Sequence, residues 1–154
     1  MLFQLSAAVL PEEVMGLPLH PLVVHAVVVL VPLAAVGTFV MASSGARSER
    51  YSPAVVFVGL MAVVSAFVAR WSGQQLQPAA VSSEIQHFQL GNYLPWMVVA
   101  FFAFIVILAV MDWQNAGSRN AVGKIFAVIC VLVAAAAVVL TVMTGHTGAE
   151  LVWG

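Results

Sequence analysis

The sequence predicts an all-α integral membrane protein: a four-transmembrane-helix bundle of up-down-up-down topology with both termini on the outer side. Three observations carry the prediction. The 154 residues are 63% hydrophobic and 7% charged, with a mean hydropathy of +1.08, whereas a soluble domain keeps roughly a quarter of its residues charged to present a wettable surface. The apolar residues gather in four stretches long enough to cross a bilayer, since ~30 Å of hydrocarbon requires about 20 helical residues. The few cations are split unevenly between the two sets of connections.

Residues 1–15 read as an interfacial segment on the outer surface. Met1 to Leu10 is apolar but too short to span, and it lacks the Lys/Arg-rich start and small-residue cleavage site of a signal peptide. Residues 16–154 then form one membrane domain, with spans at about 21–42, 53–70, 93–112 and 123–145. The first span carries no charge, and Pro32 inside it is expected to kink it, which a membrane helix tolerates when neighbours satisfy the freed carbonyl. The second span ends at Arg70 and the third at Asp112; the fourth lies between Lys124 and Gly145-His146.

Pro21, Pro53 and Pro95 are read as first-turn residues, where a missing N–H is harmless. Gly45, Gly73, Gly117 and Gly145 are read as helix terminators. Ser82-Ser83-Glu84 looks like a helix start, which would put His87 on a short surface helix before the third span.

The short connections hold Arg47, Arg50, Arg119 and Lys124, against Arg70 alone on the other side. The positive-inside rule therefore puts the short loops in the cytoplasm. Trp71, Tyr93, Trp96 and Trp153 mark the outer interface; Tyr51 and Trp113 mark the inner one. Short loops make consecutive helices antiparallel neighbours. Small residues, Ala62, Ser65, Ala66 and Ala69 on the second span and Ala134 to Ala137 with Thr141 on the fourth, are expected at the contacts. The two hairpins share no repeat beyond their topology.

Composition also excludes. A net charge of −1 with no basic tract rules out nucleic acid as a partner. The single Cys130, in mid-span, can form no internal disulfide and reads as a small core hydrophobe. Short of the bounding residues Asp112 and Lys124, the inner half of every span lacks His, Asp, Glu, Lys and Arg, so the chain alone cannot hold stacked haems that carry electrons across the membrane. The same lack argues against a pump or transporter.

Four histidines remain as the candidate chemistry: His20 and His25 at the start of the first span, His87 before the third and His146 after the fourth. All fall at the outer edge, and three different helices deliver them there. Neutral imidazole suits haem iron, copper and zinc. A b-type haem needs two axial histidines from facing helices. His25 paired with His87 or His146 would supply them, with His20 as an outer hydrogen-bond partner and Arg70 and Trp71 near the propionates. A copper or zinc site would instead collect His25, His87 and His146, with Glu84 and Glu150 the only close carboxylates. A quinone or quinol headgroup would take a histidine partner against Trp96, Phe88 or Tyr93. Met143 near the His146 face reads as packing.

The stretch Gly16-Leu17-Pro18-Leu19-His20-Pro21-Leu22-Val23-Val24-His25 resembles the opening of a bacterial family of small four-helix membrane proteins, catalogued as domain of unknown function twenty-two thirty-one. The resemblance continues through the Arg70-Trp71 end of the second span, the Pro-containing loop and His87, and closes with Thr144-Gly145-His146-Thr147-Gly148-Ala149-Glu150-Leu151-Val152. Some members are joined to Rieske-type iron–sulfur domains, and the architecture is similar to small membrane b-type cytochromes. The resemblance thus implies a redox-associated protein of the respiratory chain in the bacterial cytoplasmic membrane, with a b-type haem held by histidines near the outer face. Its partners would be the lipid bilayer and respiratory reductase or oxidase subunits. The alternatives are a non-catalytic accessory subunit of a respiratory complex and an outer-face copper or zinc site.

Overall fold

A computed structural model describes residues 13–14, 16–75 and 82–153. Four helices, α1 (Leu19–Ser43), α2 (Gly45–Gln75), α3 (Ser82–Gln114) and α4 (Ala121–Trp153), run alternately up and down. Each is long and apolar enough to cross a membrane. They pack in a ring in which each helix touches its two neighbours, α1 and α2 most extensively, while the diagonal between α1 and α3 barely meets. The expected four-helix membrane fold is the one observed. Most of the expected interfacial segment, residues 1–12, lies outside the described residues. Of the remainder, Glu13–Val14 (β1) and Leu17–Pro18 (β2) form a small antiparallel pair turned at Gly16, whose φ of 79° suits glycine.

The helices outrun the hydrophobic stretches. Gly45, expected after the first helix, opens α2, because Ser44 caps that helix by accepting a hydrogen bond from the Arg47 N–H at 3.2 Å. Pro53 and Pro95 consequently sit well inside α2 and α3 rather than in their first turns, and Gly73 and Gly145 are internal too. His87 rides on α3 itself, not on a separate surface helix. Of the four expected terminators only Gly117 acts as one: its φ is 68°, and its N–H closes the end of α3 on the Asp112 carbonyl at 2.9 Å.

Burial follows a heptad. Val27, Val31, Ala34, Thr38 and Met41 face inward on α1, and Leu94, Val98, Phe101, Ile105, Leu108 and Asp112 do so on α3. On α2 the seam is almost all small: Gly45, Ser48, Ser52, Val55, Gly59, Ala62, Ala66, Ala69 and Ser72. Steps of three and four residues are the mark of a left-handed bundle with interlocking side chains. No contrast of hydrophobicity announces this seam, since the outward faces (Val29, Val36, Phe39, Phe57, Leu132) are as apolar as the core. Small residues do the selecting, because close approach and dispersion hold helices together in lipid. Ala62, Ala66, Ala69, Ala134, Ala137 and Thr141 are buried as expected, whereas Ala135 and Ala136 face out. Thr38 and Thr141 satisfy their hydroxyls on the carbonyls four residues earlier, each at 2.8 Å.

A polar latch closes the Arg/Lys end. Arg119, in the connection after α3, makes a two-pronged contact with Asp112, Nε to Oδ1 at 2.8 Å and Nη2 to Oδ2 at 2.6 Å. The same guanidinium donates to the last carbonyls of α1, Ala42 and Met41. Its side chain is 8% exposed and that of Asp112 only 3%. One loop cation thereby ties α3 to α1 and satisfies carbonyls that α1 would otherwise leave open.

Candidate functional site

The opposite end of the bundle carries the histidines, and helix rotation decides which of them face inward. His20 lies one heptad before Val27 on α1, and His87 one heptad before Leu94 on α3, so both continue the buried seam. His25 is two residues from Val27 and faces out.

His20 reaches across to the last turns of α2. Its Nδ1 lies 3.0 Å from the Ala69 carbonyl and 3.2 Å from Ser72 Oγ, and that hydroxyl donates to the same carbonyl at 3.1 Å. A carbonyl can only accept, so Nδ1 carries the hydrogen and the neutral ring keeps its lone pair on Nε2. Gly73 makes room for the ring: a methyl there would stand 2.9 Å from His20 Cε1.

His87 repeats the arrangement on α4. Its Nδ1 lies 3.1 Å from the Thr144 carbonyl and 3.2 Å from Thr147 Oγ1, which donates to that carbonyl at 3.1 Å. Gly148 supplies the opening, with a methyl there also 2.9 Å from the ring Cε1. The two hairpins therefore share more than topology. Each sets a histidine at the start of one helix against a small-x-x-Ser/Thr-Gly stretch at the end of the next: Ala69 to Gly73, and Thr144 to Gly148. The two anchored rings lie at the same end of the bundle, one on α1 and one on α3.

The other sequence candidates lie apart from this pair. His25 turns back to the Pro21 carbonyl of its own helix at 2.5 Å and is exposed. His146 is 71% exposed and pairs with Glu150, Nε2 to Oε1, at 3.3 Å. Arg70 is engaged through Nε by Asn92 Oδ1 at 2.9 Å, an oxygen that also accepts from Gln74 Nε2 at 3.2 Å. This links α2 to α3 beside the histidines. Phe88 leans on His87 with ring centres 6.0 Å apart. Trp96 meets Phe67 edge to face at 5.5 Å, Tyr93 is exposed, and Met143 is exposed as well. The Glu84 side chain lies outside the described residues. Of the four histidines, His20 and His87 are thus the two anchored on a neighbouring helix, whereas His25 and His146 are exposed.

The chemistry of the pair follows from its tautomers. Two imidazoles on opposite helices, each held through Nδ1 by a backbone carbonyl and a hydroxyl, have fixed ring orientation, and in the neutral form each would present its Nε2 lone pair. Among the described residues neither Nε2 has a hydrogen-bond partner. An Nδ1–H held by a carbonyl is the usual outer support of a metal-ligating histidine and raises its basicity. No group of three or more His, Cys, Asp or Glu side chains able to hold a metal ion is assembled among the described residues.

The heptad was the signal available for the pair. Stepping back by sevens from Met41 reaches Ala34, Val27 and His20; stepping back from Leu108 reaches Phe101, Leu94 and His87. The family model described as "Predicted membrane protein (DUF2231)" matches residues 16–154. Neither a curated protein nor a solved structure matches the chain.

Proposed function

The chain belongs to the DUF2231 family of predicted membrane proteins, and from its paired histidines we propose a redox-associated protein of the bacterial respiratory membrane that holds a b-type haem between His20 and His87. The observation that carries this reading is the equivalent anchoring of the two Nδ1 atoms, on the Ala69 and Thr144 carbonyls. It leaves two Nε2 lone pairs on facing helices, which is the donor set of a bis-histidine haem. When bound, the haem would supply one-electron transfer. His20 and His87 would hold it through Nε2, Ser72 and Thr147 would fix the ring planes, and Gly73 and Gly148 would keep the space beside each ring clear. Arg70, already turned toward α3 by Asn92, is the cation nearest in sequence to the His20 anchor.

By the positive-inside rule this end faces outward across the cytoplasmic membrane. The bundle then works as one station at the outer face, exchanging electrons with a respiratory reductase or oxidase subunit. Nothing in the inner half of the spans would relay them further.

Absorption spectroscopy of the full-length protein, purified after expression with haem supply, tests the reading. We expect a Soret band that is lost in His20→Ala and in His87→Ala and retained in His25→Ala and His146→Ala. A colourless, iron-free protein from native membranes would overturn it. Loss of the band in His25→Ala or His146→Ala, with retention in the other two, would overturn the pairing. A colourless chain that co-purifies with respiratory subunits would favour the accessory role. Stoichiometric copper or zinc in elemental analysis would favour the metal site.

A further inference from the structure

At the Arg/Lys end, α1 and α4 part around an open groove of about 670 Å³, within the roughly 300–1,000 Å³ of small-molecule sites. Its walls are apolar and outward-facing: Phe39 from α1, and Val128, Val131 and Leu132 from α4. Its mouth is polar, formed by Ser43 and Ser44 at the α1–α2 junction together with Arg119 and Lys124. Alanines at the helix ends, Ala42 and Ala127, leave the space open.

The charges at the mouth are unbalanced. Arg119 is neutralised by Asp112. Lys124 is exposed and has no carboxylate within 4.0 Å among the described residues. Arg47 Nη1 donates to Ser43 Oγ at 2.7 Å, which brings a second guanidinium to the rim. The other carboxylate at this end, Glu49, stands by Gly117. Two helix N-termini, each with the partial positive charge of its open N–H groups, lie at the same level: α2 capped by Ser44, and α4 capped by Asn120, whose Oδ1 accepts from the Gly123 N–H at 2.9 Å.

We propose that this groove binds an anionic phospholipid, with an acyl chain along Phe39, Val128 and Leu132 and the phosphodiester held between Lys124 and Arg47. Apolar walls that end in two unneutralised cations at the edge of the spans match a lipid at both ends. A zwitterionic lipid carries its own cation to this level and loses the advantage. The proposal stands independently of the histidine pair.

Native mass spectrometry of the full-length protein tests it, with phosphatidylglycerol and phosphatidylcholine of identical acyl chains offered together in mixed micelles. Surface cations contribute on the order of fivefold each toward anionic lipid, so we expect phosphatidylglycerol enrichment that falls by about that factor in Lys124→Gln and again in Arg47→Gln/Lys124→Gln. Leu132→Trp, which fills the groove from an exposed position, should remove the bound lipid while leaving the cations intact. Equal retention of both lipids by the unaltered protein would overturn the proposal. So would enrichment that survives the double variant, or displacement of the lipid by inorganic phosphate alone. Circular dichroism and size-exclusion profiles of each variant separate loss of the lipid from loss of the fold.

Discussion

Gly73 and Gly148 hold the same office for different histidines. Each stands half-buried near the end of its helix and faces an imidazole across the gap, and a methyl at either position would stand 2.9 Å from ring carbon Cε1. The ring must then swing off its carbonyl, although the helix itself prefers alanine to glycine by about 1 kcal/mol. Gly73→Ala and Gly148→Ala are therefore expected to fold normally yet weaken any ligand held by Nε2, as read by the Soret band and by urea unfolding in micelles. Gly91, with open space around it, is the control: Gly91→Ala should leave the spectrum unchanged and stability equal or slightly higher. Replacement of an anchoring hydroxyl in Ser72→Ala or Thr147→Ala leaves the carbonyl acceptor in place. The expected loss is about 0.6 kcal/mol, the average for a polar contact between membrane helices.

The latch of Asp112 and Arg119 predicts a much larger effect. Its two side chains are 3% and 8% exposed, and removal of one partner leaves a buried charge uncompensated, at a cost of about 3–5 kcal/mol. Asp112→Ala should fall in that range in micelle unfolding experiments. Arg119→Ala should cost at least as much, because the Met41 and Ala42 carbonyls lose their donor too. A smaller loss in the double variant than in the sum of the two would identify the pair term.

At the scale of the helices, the sequence disclosed existence and order but not rotation or ends. Hydropathy marks where lipid begins, whereas a helix ends where its hydrogen bonding does. The polar turns from Gly45 to Ser52 and from Ser82 to Asn92 are helical, so the proline and glycine punctuation was misassigned at Pro53, Pro95, Gly73 and Gly145. Rotation was hidden for another reason. A helix that is apolar all round offers no hydrophobic contrast, and depth alone made His25 the attractive ligand although it faces outward. The contact partners of Arg119 were likewise invisible, since a loop cation looks like an orientation signal until its guanidinium is traced to Asp112. The small-residue rule did carry through, and Gly45 shows its force. A methyl there would overlap the Gly117 carbonyl, a fixed backbone atom. Gly45→Ala should destabilise by about 1–3 kcal/mol or more, as overpacking does, and thermal unfolding in detergent would measure it.

For the whole molecule, the antiparallel order of the helices puts Arg47, Arg119 and Lys124 at one end and His20 and His87 at the other. The cation bias then makes a prediction about sidedness. Cys130 is fully buried, so it should resist a membrane-impermeant maleimide. In a Cys130→Ala background, Ala149→Cys, at an exposed position near the histidines, should label in intact cells. Ser118→Cys, exposed at the opposite end, should label only after the membrane is opened. The reverse pattern would invert the topology.

The duplicated anchor has a consequence for assembly. Each hairpin holds one imidazole against its own second helix, so an isolated half displays a single anchored donor however well it folds. Chelation by two nitrogens arises only when the halves close on each other. Anything that binds both would act as a clasp across the α1–α2 and α3–α4 units, adding stability in proportion to the logarithm of its concentration over its dissociation constant. Hairpins expressed as separate chains should therefore remain ligand-free alone and recover a shared ligand on mixing, making occupancy a readout of quaternary-like docking within a single polypeptide.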